Sequence, residues 1–347
     1  MRAHIRSSWQ AALPAAAQSS AHKHLLRFAQ VFAMPRDPEP DVLRASKIIW
    51  GLGAALTLFA GLWAALSNFQ INAAKAGGLI LFLMVLAAAC HIVRNRLMLQ
   101  TPPALIEAFA QISFISLAAA LVSYQLGSLG TPWVDPWLAR IDQAAGFDWS
   151  AANRFVAARP CLGSMLHFAY NSFVWQPMMV IVLLAFRMSH KRLQMFVLAW
   201  TIALIVTLAG LAIAPAQTAY IYFGATDAHL PDLSAQVGNA QFTALEALRA
   251  GGLRRLLDQD LEGLVAFPSF HTIGAILFVW ATWPLRWLRW PALALNGAMI
   301  ISVPIFGAHY LVDAIAGAGV VMFSLYLSSR LFALGGQPTT RRLIYRR

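Results

Sequence analysis

Eight runs of apolar residues, separated by charged or aromatic-polar clusters, divide the chain at positions 48–66, 77–93, 104–126, 166–186, 195–214, 272–285, 291–306 and 311–334. Most of them approach the roughly 20 residues that a helix needs to cross the hydrocarbon core of a bilayer. Lipid offers a free N–H or C=O no partner, so helices are the expected form. The pattern predicts an all-α, polytopic membrane helix bundle of about eight transmembrane helices. The sixth and seventh runs are the shortest, and their limits are the least sharply drawn.

Two long polar intervals interrupt the runs. Positions 127–165 interleave Trp133, Trp137, Phe147 and Trp149 with Asp135, Arg140, Asp142 and Asp148, a mixture that belongs at a membrane interface. It predicts interfacial helices beside a site, or a vestibule for lipid entry. Positions 215–268 carry Tyr220, Tyr222, Asp227, His229, Asp232, Arg249, Arg254 and Arg255, followed by the acids Asp258, Asp260 and Glu262. A loop of that length is usually functional, and a helix over 243–257 would bring a cationic end toward His271. The domain organisation expected is a basic segment 1–47, two additional spans within 48–100, a six-helix core over 101–334 with the two outer loops, and a basic tail 335–347.

Composition agrees with this picture, and charge orients it. The 347 residues are 59% hydrophobic and 12% charged, with a mean hydropathy of +0.62, far from soluble usage. The net charge of +12 is gathered at Arg44 and Lys47, Arg94 and Arg96, Arg187 with Lys191 and Arg192, Arg286 and Arg289, and the tail from Arg341 to Arg347. With eight spans these clusters share one side. The positive-inside rule then places both termini in the cytoplasm and the opposite rim on the extracytoplasmic or luminal side of a plasma or inner membrane. Anionic lipid headgroups explain this basicity better than nucleic acid does. The two cysteines, Cys90 and Cys161, indicate neither a disulfide framework nor a zinc cluster. No cleavable signal peptide precedes the first run, which is expected to direct insertion.

Candidate chemistry collects where two of the last runs begin. Pro268-Ser269-Phe270-His271-Thr272 opens one, and His309-Tyr310-Leu311-Val312-Asp313 opens the next but one. If the chain crosses and returns between them, His271 and His309 come back to one level. His309 and Asp313 are four residues apart and share a helix face, so the carboxylate can hold one imidazole nitrogen while the other points outward as nucleophile or base. Ser269 is a candidate N-cap, at a helix start that favours an anion, and Gly317 leaves the same stripe open to close approach by a neighbour. In the fourth run Tyr170, Asn171 and Gln176 are polar groups that need partners, from a neighbouring helix or from a bound headgroup. His167 reads as interfacial. Glu107, an acid within the third run, is a polar helix contact or an ion relay.

Pro-Ser-Phe-His-Thr resembles the second signature, Pro-Ser-Gly-His, of the type 2 phosphatidic acid phosphatase superfamily, and His309 to Asp313 resembles the third, His-x-x-x-Asp. Both stand in the right order with an apolar hairpin between. The usual third signature has an Arg six residues before its His, where this chain has Val303. The usual first, Lys followed after six residues by Arg-Pro, leaves only Arg159-Pro160, with Ala152 in the Lys position. His-Tyr-x-x-Asp, and the stretch around Asp135, Leu138, Asp142, Gly146, Asp148 and Trp149, are similar to the inositolphosphotransferase-like subgroup, typified by inositol phosphorylceramide synthases and sphingomyelin synthases.

The resemblance implies an enzyme that moves a phosphate-linked headgroup between lipids without metal or cofactor. His309 would attack phosphorus and form a phospho-histidine, Asp313 would hold it in the required tautomer, and His271 would protonate the leaving oxygen. Ser269 would donate to a phosphoryl oxygen, with Tyr170, Asn171, Gln176 and Arg254 or Arg255 as further phosphate or substrate contacts. The same residues serve a lipid phosphate phosphatase of the phosphatidic acid or polyprenyl phosphate type. Two alternatives of other classes are a bis-histidine haem protein and a transporter using Glu107.

Overall fold

The computed structural model describes residues 40–67, 69–72, 101–187, 189–223, 232–252, 255–256 and 264–333, with isolated helical positions between 74 and 92. Most of the basic N-terminal segment, much of the predicted second span with Cys90, the polar residues Asp227 and His229, the acids at 258–262 and the basic tail lie outside the described residues. The described chain is almost wholly helical: α1 (Pro40–Leu66), α2 (Thr101–Gly127), α3 (Asp135–Ala144), α4 (Trp149–Ala157), α5 (Pro160–Asn171), α6 (Gln176–Phe186), α7 (His190–Ile213), α8 (Ala219–Tyr222), α9 (Asp232–Arg249), α10 (Phe270–Thr282), α11 (Arg289–Phe306) and α12 (Leu311–Ala333). A two-residue parallel pairing joins Gln70–Ile71 to Arg255–Leu256.

Among the described residues α1, α2, α7, α11 and α12 are long and apolar enough to cross a membrane, and α5 with α6 makes a sixth if the bent pair is one span. That sixth span departs from the single helix expected over 166–186. A 3₁₀ turn at Ser172–Val174 separates its halves, which are bent by 57°. Pro177 is the cause: it has no N–H for the carbonyl four residues back, and its ring collides with the preceding turn. The predicted sixth run yields only the 13 residues of α10, which rise about 20 Å.

Helix α7 is the axis of the bundle and packs against α1, α2, α10 and α12. Leu193, Phe196, Val197, Ala199 and Ala203 are all buried. An apolar pattern with no polar face suits a helix enclosed on every side. Its two threonines, Thr201 and Thr207, each return their hydroxyl to the carbonyl four residues back, at 2.9 and 2.8 Å.

The two ends of the bundle differ in chemistry. At one end guanidinium groups close helix C-termini, whose last carbonyls lack helical partners. Arg44 donates to the carbonyls of Leu331 and Phe332 at 2.7 and 3.1 Å, and Arg192 to those of Trp280 and Ala281. Nearby, Glu107 accepts from the Ser46 hydroxyl, Gln111 donates to Ser46 at 3.1 Å and Gln194 to Gln111 at 3.3 Å. Glu107 is thereby a polar contact between α2 and α1, and Gln111 extends the cluster to α7.

At the other end α10 and α12 begin, and α3, α4, α8 and α9 lie across the bundle. The helix expected over 243–257 is instead Asp232–Arg249, stopped by Gly251 at φ +78°, a conformation that glycine adopts without Cβ strain. Its terminal cation does not reach for His271. Arg249 donates to the carbonyl of Thr131 at 2.7 Å and stacks 3.3 Å over Trp133.

Candidate active site

Two helix starts form the site. Ser269 occupies the N-cap position of α10 with extended backbone, φ −67° and ψ 116°, but its side chain makes no capping bond. Instead its N–H donates to the carbonyl of Asp313 at 3.0 Å, which ties the beginning of α10 to the first turn of α12. The approach is close because of Gly317. A Cβ there would stand 2.6 Å from the carbonyl oxygen of Ser269 and 3.2 Å from Cβ of Thr272. The hydroxyls of Ser269 and Thr272 are both buried without a hydrogen-bond partner.

The second start is held by Asp313, which is fully buried. Its Oδ2 accepts from Nδ1 of His309 at 3.1 Å and from the N–H of Tyr310 at 2.9 Å. A carboxylate only accepts, so the proton of neutral His309 sits on Nδ1 and the lone pair on Nε2. Ala308, just before, has φ +53°, a left-handed conformation that costs a non-glycine residue about 1–2 kcal/mol. Its carbonyl accepts the N–H of Ala219 at 2.8 Å, so the α7–α8 connection braces this turn.

His271 reaches the same place from α10. Its ring stacks on Tyr170, with centroids 4.1 Å apart and planes 12° from parallel, and lies 4.4 Å from the ring of Phe173. Phe173 is available because the chain breaks there between α5 and α6. Gly307 completes the link to the other imidazole: a Cβ on it would fall 2.6 Å from Cδ2 of His309 and 3.1 Å from the Tyr170 hydroxyl. Tyr170 thus borders both histidines, His271 with its ring face and His309 by way of Gly307.

The interfacial helices α3 and α4 contribute more than cover. Asp142 receives the free first-turn N–H groups of α12, Leu311 on Oδ2 at 2.7 Å and Val312 on Oδ1 at 2.9 Å. Asp135 accepts the Tyr310 hydroxyl at 2.9 Å and the N–H of Gln217 at 3.0 Å. Trp149 donates from its indole to the carbonyl of Pro304 at 2.8 Å. Burial pushes both carboxyls above the usual range, against the lowering effect of the hydrogen bonds they accept. These residues were not singled out as site residues from sequence, yet a signal existed. The buried face of α3 is Asp135, Leu138, Ala139 and Asp142, a core stripe at helical spacing with two acids in it.

The profile of the PAP2 superfamily matches residues 136–327, more than half of the chain, and takes in both histidines and Asp313. The chain belongs to the PAP2 superfamily. No curated protein and no solved structure matches it. Membership brings phosphatase- or phosphotransferase-type chemistry on lipid phosphates to a helical membrane protein.

In this PAP2 protein two positions of the usual cations are apolar. Val303 is fully buried, and Ala152 packs with Val156, Leu166 and Tyr170. Arg159, just before α5, turns back on α4, donating to the carbonyl of Phe155 at 2.9 Å. Of the further residues expected at the site, Tyr170 is in it and Asn171 is exposed nearby. Gln176 takes the neighbouring-helix alternative: it is 1% exposed, donates to Ser172 at 2.8 Å and accepts from Asn296 at 2.9 Å. The amide is thus spent on joining α6 to α11. Arg254 lies outside the described residues, and only the backbone of Arg255 is described. His167 stacks on Phe306 at 5.4 Å, and Cys161 is exposed.

Proposed function

We propose that this PAP2 protein is a lipid phosphotransferase that moves a phosphate-linked headgroup between lipid or alcohol acceptors through a phospho-histidine. One observation carries the reading: Asp313 holds Nδ1 of His309, leaving Nε2 as the free nucleophile. In the first half Nε2 attacks phosphorus, a P–N bond forms, and the P–O bond to the leaving oxygen breaks as His271 gives that oxygen a proton. In the second half His271 takes the proton of the acceptor hydroxyl, whose oxygen attacks phosphorus and expels the imidazole. Asp313 supports the positive charge of His309 while the P–N bond exists.

The phosphoryl oxygens are assigned to the start of α10, where the Ser269 hydroxyl is unpartnered and the first-turn N–H groups point outward. The equivalent groups of α12 already serve Asp142. A phosphodiester donor suits the site better than a monoester. A monoester carries about −1.5 to −2 charge near neutral pH, a diester one, and two of the positions where the superfamily usually has cations, those of Ala152 and Val303, are apolar here. Phosphate contacts from Asn171, Arg254 or Arg255 belong to the same reading. So does the placement of the site on the extracytoplasmic rim, with α1 an addition to a six-helix core, since the arginines that cap α10 and α12 gather at the opposite end.

With water as acceptor the same residues make a lipid phosphate phosphatase, a reading that superfamily membership admits equally. Purified protein in lipid nanodiscs, offered phosphatidic acid, phosphatidylinositol or phosphatidylethanolamine as donor and diacylglycerol or ceramide as acceptor, separates the two. A headgroup-exchanged lipid supports transfer. Free phosphate from phosphatidic acid alone supports hydrolysis, and activity that survives His309→Ala removes both.

A further inference from the structure

The grip of the α3–α4 hairpin on the turn between α11 and α12 is larger than packing alone requires. We propose that Asp142, with Asp135 and Trp149, positions His309, holding residues 304–313 in the arrangement that aims Nε2 at phosphorus. The proposal rests on the phospho-histidine reading and extends it to residues that do not touch the substrate.

Three buried contacts converge on that turn. Trp149 takes the carbonyl of Pro304 at the end of α11. Asp135 takes the hydroxyl of Tyr310, next to the nucleophile. Asp142 takes two successive N–H groups at the start of α12 with its two oxygens. Asp135, Asp142 and Trp149 are each at most 2% exposed. A buried carboxylate is costly, and an apolar residue of similar volume would pack as well or better. What an apolar residue cannot do is accept the two N–H groups or complement the positive end of α12.

The turn also needs restraint. Ala308 sits at φ +53° and Thr218, whose neighbour Gln217 donates to Asp135, at φ 146°. Such conformations persist only where the surroundings over-determine them. Asp142 has a second consequence. By filling the anion-binding start of α12 it denies phosphate a competing cradle one turn from His309, and leaves the start of α10 as the place to bind.

The test uses the full chain in nanodiscs with two probes, orthovanadate, which takes the five-coordinate geometry of phosphoryl transfer, and inorganic phosphate, which does not. Transition-state mimics report positioning of the nucleophile more strongly than ground-state anions do. In Asp142→Asn the amide nitrogen faces one of the two N–H groups, so orthovanadate affinity should fall by about 10-fold or more, given the sensitivity of such geometry. Phosphate affinity should change far less. Tyr310→Phe, which removes only the hydroxyl bond to Asp135, should show the same preference at a few-fold, and decides the matter if the Asp142 variant does not fold. Arg140→Ala, on the exposed face of α3, should match the unaltered chain. A folded Asp142→Asn or Tyr310→Phe protein with unaltered orthovanadate affinity overturns the positioning role. If His309→Ala binds orthovanadate as the unaltered chain does, the phospho-histidine reading fails instead.

Discussion

His309 and Asp313 meet through a single carboxylate oxygen: Oδ2 accepts the Nδ1–H at 3.1 Å and also, at 2.9 Å, the main-chain N–H of Tyr310. The second bond matters because it fixes the carboxylate independently of the imidazole. The ring is oriented by a group that the main chain also holds.

His309→Ala should abolish turnover and the acid-labile phosphoprotein that a phospho-histidine gives. Asp313→Ala should remove the one oxygen that accepts both the His309 Nδ1–H and the Tyr310 N–H, releasing the ring and the charge support it gives. By analogy with removal of the carboxylate from a catalytic triad the expected loss is about 10⁴-fold. Initial rates and phosphoprotein yield on the same preparations check both.

Gly317→Ala should be felt at the start of α10. Its methyl would overlap the backbone carbonyl of Ser269, which belongs to a helix start and not to a flexible side-chain tip. Overpacking of this kind costs about 1–3 kcal/mol, so thermal unfolding should shift downward. Turnover should fall as well, because α10 carries His271. Full activity together with lost stability would separate helix packing from site geometry.

Tyr170 supports His271 with its ring, and its hydroxyl faces Gly307. Tyr170→Phe should retain the stacking at 4.1 Å and most of the activity. Tyr170→Ala should lose an aromatic pair worth about 0.5–1.5 kcal/mol beyond its buried area and free the His271 ring. A rate series over the two variants shows whether the ring or the hydroxyl matters.

Glu107→Gln should leave phosphate chemistry intact. The residue is bonded to Ser46 at the end of the bundle remote from both histidines, and an amide oxygen can accept the same hydroxyl. A stability change within about 1.5 kcal/mol is expected for one such bond. Loss of turnover in this variant would revive a proton or ion role for the third span.

Much of the site was legible before folding because its logic is local. The interval of four between His309 and Asp313 places them on one face, and α11 running back between α10 and α12 returns both histidines to one end. The closeness permitted by Gly317 follows from the absence of a side chain in that stripe. Gln176 was less legible, since a polar residue in an apolar run announces a need for a partner without naming it. Asn296, its partner, lies 120 positions away. The break at Pro177 was visible as a proline, but the use made of it, bringing Phe173 onto His271, depends on where α10 passes.

The amino-acid order by itself determined a membrane bundle of helices, their approximate limits, and the carboxylate-supported imidazole, because hydrophobic length and helical periodicity act within one element. Tertiary structure decided what the acids of α3 do. Asp135 and Asp142 reach partners 175, 169 and 170 residues away, and no local preference distinguishes such an acid from one facing water. Only the docking of α3 across the start of α12 gives those carboxylates N–H and O–H groups to accept, and so ties α3 to the turn that carries His309.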